Sequence, residues 1–101
     1  MESQTTTPES MQGALDRAAA LLRVLGNVDR LHLLAALQHG ELCVGQLAQR
    51  LGIQQPTLSQ QLTVLRHHEL VVTRRVGKHI FYRLAPGFAP QLSLVLQLAG
   101  G

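Results

Sequence analysis

Apolar positions recur with helical spacing from Met11 onward. Leu15, Ala18, Ala19, Leu22 and Leu25 form one stripe of a first helix, which Gly26-Asn27 stops. Asn27 is suited to cap a second helix whose buried stripe is Val28, Leu31, Leu34, Ala35 and Leu37, ended by His39-Gly40. A short extended piece, Leu42–Val44, precedes a brief helix over Gly45–Leu51, closed by Gly52 as a left-handed turn residue. A further helix begins near Gln55-Pro56, where proline fits a first turn, and runs through Leu58, Leu62 and Leu65 to about His68. The period then changes to two. Leu70–Val76 and His79–Leu84 read as strands joined by the two-residue loop Gly77-Lys78, with Ile80, Tyr82 and Leu84 on one face. After Pro86, Gly87 and Pro90, a last helix over Gln91–Ala99 is apolar nearly all round.

This order predicts a mainly α fold with a β-hairpin wing, a winged helix-turn-helix over residues 11–101, preceded by a polar, Thr-rich flexible tail over residues 1–10. A helix apolar on every side cannot be covered by a domain this small. The first and last helices are therefore expected to pack against a second copy, making a homodimer. On the helix starting near Gln55, at ~100° per residue, Leu58, Leu62 and Leu65 point to the core. Pro56, Ser59, Gln60, Thr63 and His67 collect on the opposite side, with Gln55 at its N-terminal edge. That face is uncharged and rich in hydrogen-bonding groups, the chemistry that reads base edges in a major groove. An ordinary solvated face carries more Lys and Glu. The helix N-terminus adds N–H groups suited to a phosphate.

Charge sharpens the picture. The net charge is +3, but residues 1–41 hold three basic and five acidic groups, while residues 42–83 hold six basic groups and one acid, Glu69. Arg50 and Arg66 flank the polar face, and Arg74, Arg75 and Lys78 lie in the hairpin. Cations placed around an uncharged reading face match the division in which phosphate contacts position and base contacts specify. A solvated basic surface is the blander alternative. Double-stranded DNA is the expected partner. No apolar run reaches the ~18 residues of a membrane span, and no secretory signal opens the chain, so the expected compartment is the cytoplasm. The single cysteine, Cys43, excludes an internal disulfide.

The stretch from Leu25 to Leu84 resembles the ArsR/SmtB family of bacterial repressors. The resemblance rests on LGNVDRLHLL, ELCVGQLA, PTLSQQLTVLR and RRVGKHIFYRL, which together sit within about sixty of the 101 residues. It implies a homodimer that binds an inverted repeat at a promoter and releases it on sensing an inducer. By position, the family's base-reading residues fall on Gln55, Pro56, Ser59 and Gln60, and its wing contact near Arg75, Lys78 and His79. With Thr63 and Arg66 from the helix face, these form the expected DNA-binding set.

The pattern is nearer the sulfide- and redox-responsive branch, typified by biofilm-growth and haemolysin regulators, than the metal sensors. The sensing residues of both are incomplete here. The cysteine of the ELCV segment is present as Cys43, but Gly45 stands where thiophilic sites place a second one, and residues 1–31 hold neither Cys nor His. Residues 85–101 contain no Asp, Glu, His or Cys, which removes the other common metal site. The two cysteines of the redox branch correspond to about Ala35 and a position within Gln91–Ala99. Cys43 is left as the candidate redox thiol, against the plainer reading of a small packing residue. No cofactor is implied. No phosphate loop, paired carboxylate or oriented nucleophile points to an enzyme. A metal- or metalloid-responsive repressor, and a winged helix that binds protein rather than DNA, remain as alternatives.

Overall fold

A computed structural model describes residues 8–100 of the chain. Helix α1 (Pro8–Leu25) leads to α2 (Val28–Ala36), a single 3₁₀ turn (Leu37–His39) and a two-residue strand β1 (Leu42–Cys43). Then come α3 (Val44–Leu51), α4 (Thr57–His67), the hairpin β2 (Val71–Val76) and β3 (His79–Leu84), and α5 (Ala89–Leu98). Most of the tail expected over residues 1–10 lies outside the described residues, and Pro8–Ser10 are the first turn of α1.

The core is a leucine cluster drawn from every helix. Leu33 and Leu34 of α2, Leu47 of α3, Leu58, Leu62 and Leu65 of α4 and Leu92 of α5 are almost wholly enclosed. Leu33 takes the inward place expected of Val28, which begins its helix and is 67% exposed. On a helix this apolar the covered arc is wide, and packing rather than period picks its centre. Helix α1 is divided more sharply. Val24 and Leu25 enter the core, whereas Met11, Leu15 and Leu22 of the same helix are 49%, 55% and 66% exposed.

Turns fall where the chain can make them. Gly52 closes α3 at φ 68° and donates its N–H to Ala48 C=O at 2.9 Å, a left-handed cap that a side chain would strain. At the other end of α4, Leu70 N–H bonds Leu65 C=O and Glu69 N–H bonds Arg66 C=O, both at 3.0 Å. This is a Schellman closure, with Glu69 at φ 60° where glycine is usual and with buried Leu65 and Leu70 completing it.

The hairpin gains a strand. The order is β1-β3-β2, antiparallel throughout, with Leu42 opposite Tyr82 and Cys43 opposite Phe81. Two residues suffice to occupy part of the free edge of β3, which would otherwise leave N–H and C=O groups unpaired. The register also sorts side chains by face. Leu42, Tyr82 and Thr73 form a row on the face toward the helices, and Cys43, Phe81 and Arg74 form a row on the other.

One polar cluster joins the helices. Asn27 caps α2 by accepting the Arg30 N–H at 3.0 Å. The half-buried Arg30 side chain turns back to the end of α1, with Nε 2.6 Å from Val24 C=O and Nη2 3.2 Å from Arg23 C=O. Its Nη1 donates to Gln61 Oε1 on α4 at 2.9 Å. A cation thus satisfies carbonyls that every helix leaves open at its C-terminus. Replacing Arg30→Met should lower stability by about 2–3 kcal/mol in urea unfolding, because charge-assisted bonds to part-buried acceptors are lost together. Arg74→Met, which breaks an exposed ion pair, should leave the midpoint close to that of the unaltered protein. Equal midpoints for the two variants would refute the role given to Arg30.

Candidate nucleic-acid interface

Helix α4 lies across the leucine core, so its opposite side faces outward. Gln55, Pro56, Ser59, Gln60, Thr63 and Arg66 are all exposed. The expected reading face is therefore contiguous on one surface, and no charged residue interrupts it from Gln55 to Thr63.

Internal bonds change what this face offers. The N–H groups expected to be free at the start of α4 are mostly occupied. Leu58 N–H donates to Gln54 C=O, Ser59 N–H to the Gln55 side-chain oxygen, and Gln60 N–H to Pro56 C=O, at 3.0, 3.0 and 3.1 Å. The helix terminus is closed by its own chain and has little to give a phosphate, a correction to the expectation from position alone. Gln55 spends its oxygen as a cap and keeps its NH₂ donors. Thr63 commits its hydroxyl proton to Ser59 C=O at 2.8 Å, so it presents a methyl group and an acceptor oxygen. Ser59 and Gln60 keep their side-chain groups for an outside partner.

The wing extends beside this face. Gly77 at φ 60° opens the Gly77-Lys78 turn, and Arg75, Lys78 and His79 are exposed around it. Arg75 shares the helix-side face of the hairpin with its partner Ile80. His79 stands on the other face, its ring edge-on to Phe81 at 6.4 Å. Arg74, counted by sequence among the free cations, is already engaged. It grips both carboxylate oxygens of Glu41 at 2.5–3.2 Å and lies 5.3 Å from the Phe81 ring centre. The Arg74 bonds hold the Glu41 carboxyl below its usual 4.5. A depressed acid contributes fully above the unfolded value and loses that contribution as pH falls through the folded one. This pair is solvent-exposed, so the contribution is small.

Cys43 is half-buried at the start of α3, its N–H donating to Gln46 Oε1 at 2.9 Å. Its neighbours across the sheet are Phe81 and, beyond, Arg74. Among the described residues no three His, Cys, Asp or Glu side chains gather as a metal would require. The His67 and His68 rings meet edge to face, 5.3 Å between centres and 86° between planes. No helix among the described residues is long and apolar enough to cross a membrane. The sequence reading missed Gln61, which anchors α4 to Arg30 from the edge of its buried face. Its only trace in the sequence is a polar side chain three residues after Leu58, beside a leucine stripe.

Comparison with known proteins gives a consistent result. Residues 27–73 match the family described as bacterial regulatory protein, arsR family. The chain is 50% identical over 86 residues to the biofilm growth-associated repressor of Xylella fastidiosa (strain Temecula1), covering 85% of this chain and 75% of that protein. The crystal structure of the transcriptional repressor BigR from Xylella fastidiosa superposes with a TM-score of 0.77 at 47% identity, over 93% of this chain and 96% of that one. A homodimeric winged helix-turn-helix DNA-binding domain from Mycobacterium bovis, Mb0332, matches with a TM-score of 0.84 at 31% identity, over 96% and 91% of the two chains.

Proposed function

The chain belongs to the arsR family of bacterial regulatory proteins, and on that premise we propose that it is a homodimeric transcriptional repressor that binds an inverted-repeat operator. The observation that carries the reading is the outward face of α4: uncharged, hydrogen-bonding, and flanked by Arg66 and the wing cations. Gln60 and Ser59 read base edges, Gln55 adds its amide donors, and Pro56 and Thr63 supply apolar contact to thymine methyl groups. Arg66, Arg75, Lys78 and His79 hold the backbone. The protein acts in the cytoplasm, where its DNA is, by binding and release and without a catalytic step.

The dimer follows from surface that one copy cannot cover. Met11, Leu15 and Leu22 on α1 and Leu94 and Leu98 on α5 are exposed, the last at 88%. The radius of gyration is 16.2 Å, against ~13 Å for a compact chain of this length, consistent with an α1 that reaches beyond its own core. A second copy of the same chain, placing α1 and α5 against their counterparts, buries both stripes. Each α4 then meets a major groove about one helical turn from its twin.

The decisive experiment measures affinity for the DNA upstream of the chain's own gene and for random duplex, at two salt concentrations. Tight, salt-sensitive and sequence-selective binding supports the repressor. Weak binding indifferent to salt and sequence favours a winged helix that binds protein. Gln60→Ala should cost about 1–3 kcal/mol on the operator and little on random DNA. Lys78→Ala and Arg75→Ala should weaken both duplexes alike and each lower the salt slope by about one, while Arg74→Ala, its charge spent on Glu41, should leave the slope unchanged. Leu15→Glu combined with Leu22→Glu should sediment as a monomer and lose operator binding; an unchanged dimer would remove α1 from the interface.

Cys43 is the candidate redox thiol within this reading. Peroxide transfers one oxygen to its thiolate, giving the sulfenic acid and releasing hydroxide. Cys43→Ser should bind the operator as the unaltered protein does and be indifferent to peroxide. Oxidant-driven release that persisted in Cys43→Ser would return this residue to a packing role.

A further inference from the structure

An open cleft of about 380 Å³ lies between the second half of α4 and the middle strand of the sheet, lined by Thr63, Arg66, His67 and Tyr82. Sequence and topology assemble it. Thr63 and His67 are four residues apart on the outer side of α4, with Arg66 beside them. The β1-β3-β2 order puts Tyr82 at the centre of the sheet, on the face that packs toward the helices.

The chemistry of the lining is one-sided. Arg66 brings a guanidinium, His67 an imidazole N–H and Tyr82 a phenol, all able to donate, and no carboxylate lines the cleft. Thr63 has given its hydroxyl proton to Ser59 C=O and serves as wall. Three donors around an open concavity call for an anion with several acceptor oxygens. The first turn of α4 has little left for that anion, since Leu58, Ser59 and Gln60 already spend their N–H groups within the chain. A phosphate held against this helix depends chiefly on side chains, and these are the donors that line the cleft.

We propose that this cleft is a phosphate site, that its occupant is a backbone phosphodiester of the bound DNA, and that Arg66, His67 and Tyr82 donate to it. The inference rests on the DNA-binding reading above and deepens it, adding His67 and Tyr82 to the interface. The cleft opens on the same surface as Ser59 and Gln60, so a strand whose bases meet those residues can lay its backbone here. A phosphate gripped by both helix and sheet fixes the depth of α4 in the groove relative to the wing. That is register, not sequence selection.

The test uses the full-length protein with operator and random duplexes. Tyr82→Phe removes only a hydroxyl, and His67→Ala alters an exposed side chain, so both variants should fold. Each should weaken both duplexes by the same factor, about 3- to 10-fold for one lost hydrogen bond. Operators carrying a single neutral methylphosphonate, moved along the backbone, should reveal one position per half-site where the unaltered protein loses affinity and Tyr82→Phe loses almost none further. Variants that bind both duplexes like the unaltered protein overturn the cleft and leave the repressor standing. A loss in Tyr82→Phe as large as in the unaltered protein at every methylphosphonate position does the same. Saturable binding of inorganic phosphate that shifts the His67 ring resonances and persists alongside bound operator would assign the cleft to a free anion and overturn its assignment to DNA. Failure of the unaltered protein to bind any duplex would overturn both readings.

Discussion

The Arg30 guanidinium fixes the geometry on which the other elements depend. It sits where α1 ends and α2 begins, and it donates to two C-terminal carbonyls of α1 and to Gln61 on α4. Asn27 closes the cluster, accepting the Arg30 N–H and lying 3.4 Å from the Gln61 amide nitrogen. Leucine packing alone is tolerant of small rotations, because apolar contacts have no preferred direction. Directional, charge-assisted bonds are not tolerant. The orientation of α4 on the core is therefore set relative to α1, the helix that carries the exposed stripe of Met11, Leu15 and Leu22. In the proposed dimer the spacing of the two α4 helices would thus be linked, through one side chain, to the stripe on α1.

The polar groups near α4 divide between holding the fold and meeting a partner, and the division is not the one their positions suggest. Gln55 and Thr63 face outward, yet each has one group committed to the helix backbone. Arg74 adds formal charge to the wing but is neutralised by Glu41 and rests near Phe81. What remains for a partner includes the side chains of Ser59 and Gln60, the Gln55 amide, and the exposed cations Arg50, Arg66, Arg75 and Lys78. A polyanion meets less charge than the basic half of the sequence advertises. That charge lies at the ends of α3 and α4 and at the tip of the hairpin.

Much of this was legible in the sequence, because periodicity reports local geometry. The helix pair, the Gly52 turn, the Gly77-Lys78 hairpin and the inward leucines of α4 all follow from spacing and turn chemistry, and so does the outward polar face. What spacing cannot report is a partner distant in the chain. Arg30 to Gln61 and Arg74 to Glu41 span 31 and 33 residues. Neither pair leaves a local signature. Strand β1 was legible only in part, since Leu42–Val44 reads as an extended piece but becomes a strand only beside Tyr82 and Phe81. The stripe of α1 shows a further limit. Leu15, Leu22 and Leu25 share a helical period, yet Leu25 enters the chain's own core and the other two stay outside it. Hydrophobicity predicts burial without saying against which molecule.

The position of Cys43 constrains any signal that passes through it. Cys43 stands at the start of α3, as its N-cap residue. It also belongs to the sheet. Cys43 is the last residue of β1 and is paired with Phe81, in the row that continues to Arg74 and its Glu41 partner. Added bulk or charge on its sulfur would press first on the β1–β3 ladder and the ring of Phe81. The element displaced is then the hairpin, while α4 stays held by Arg30 and the leucine core. Oxidation routed this way would loosen backbone contacts made by the wing and spare the base-reading face, weakening operator and random DNA together. A thiol acting on α4 would instead erode the preference for operator over random sequence. The ratio of the two affinities on oxidation therefore separates the mechanisms, and the sheet register favours the wing.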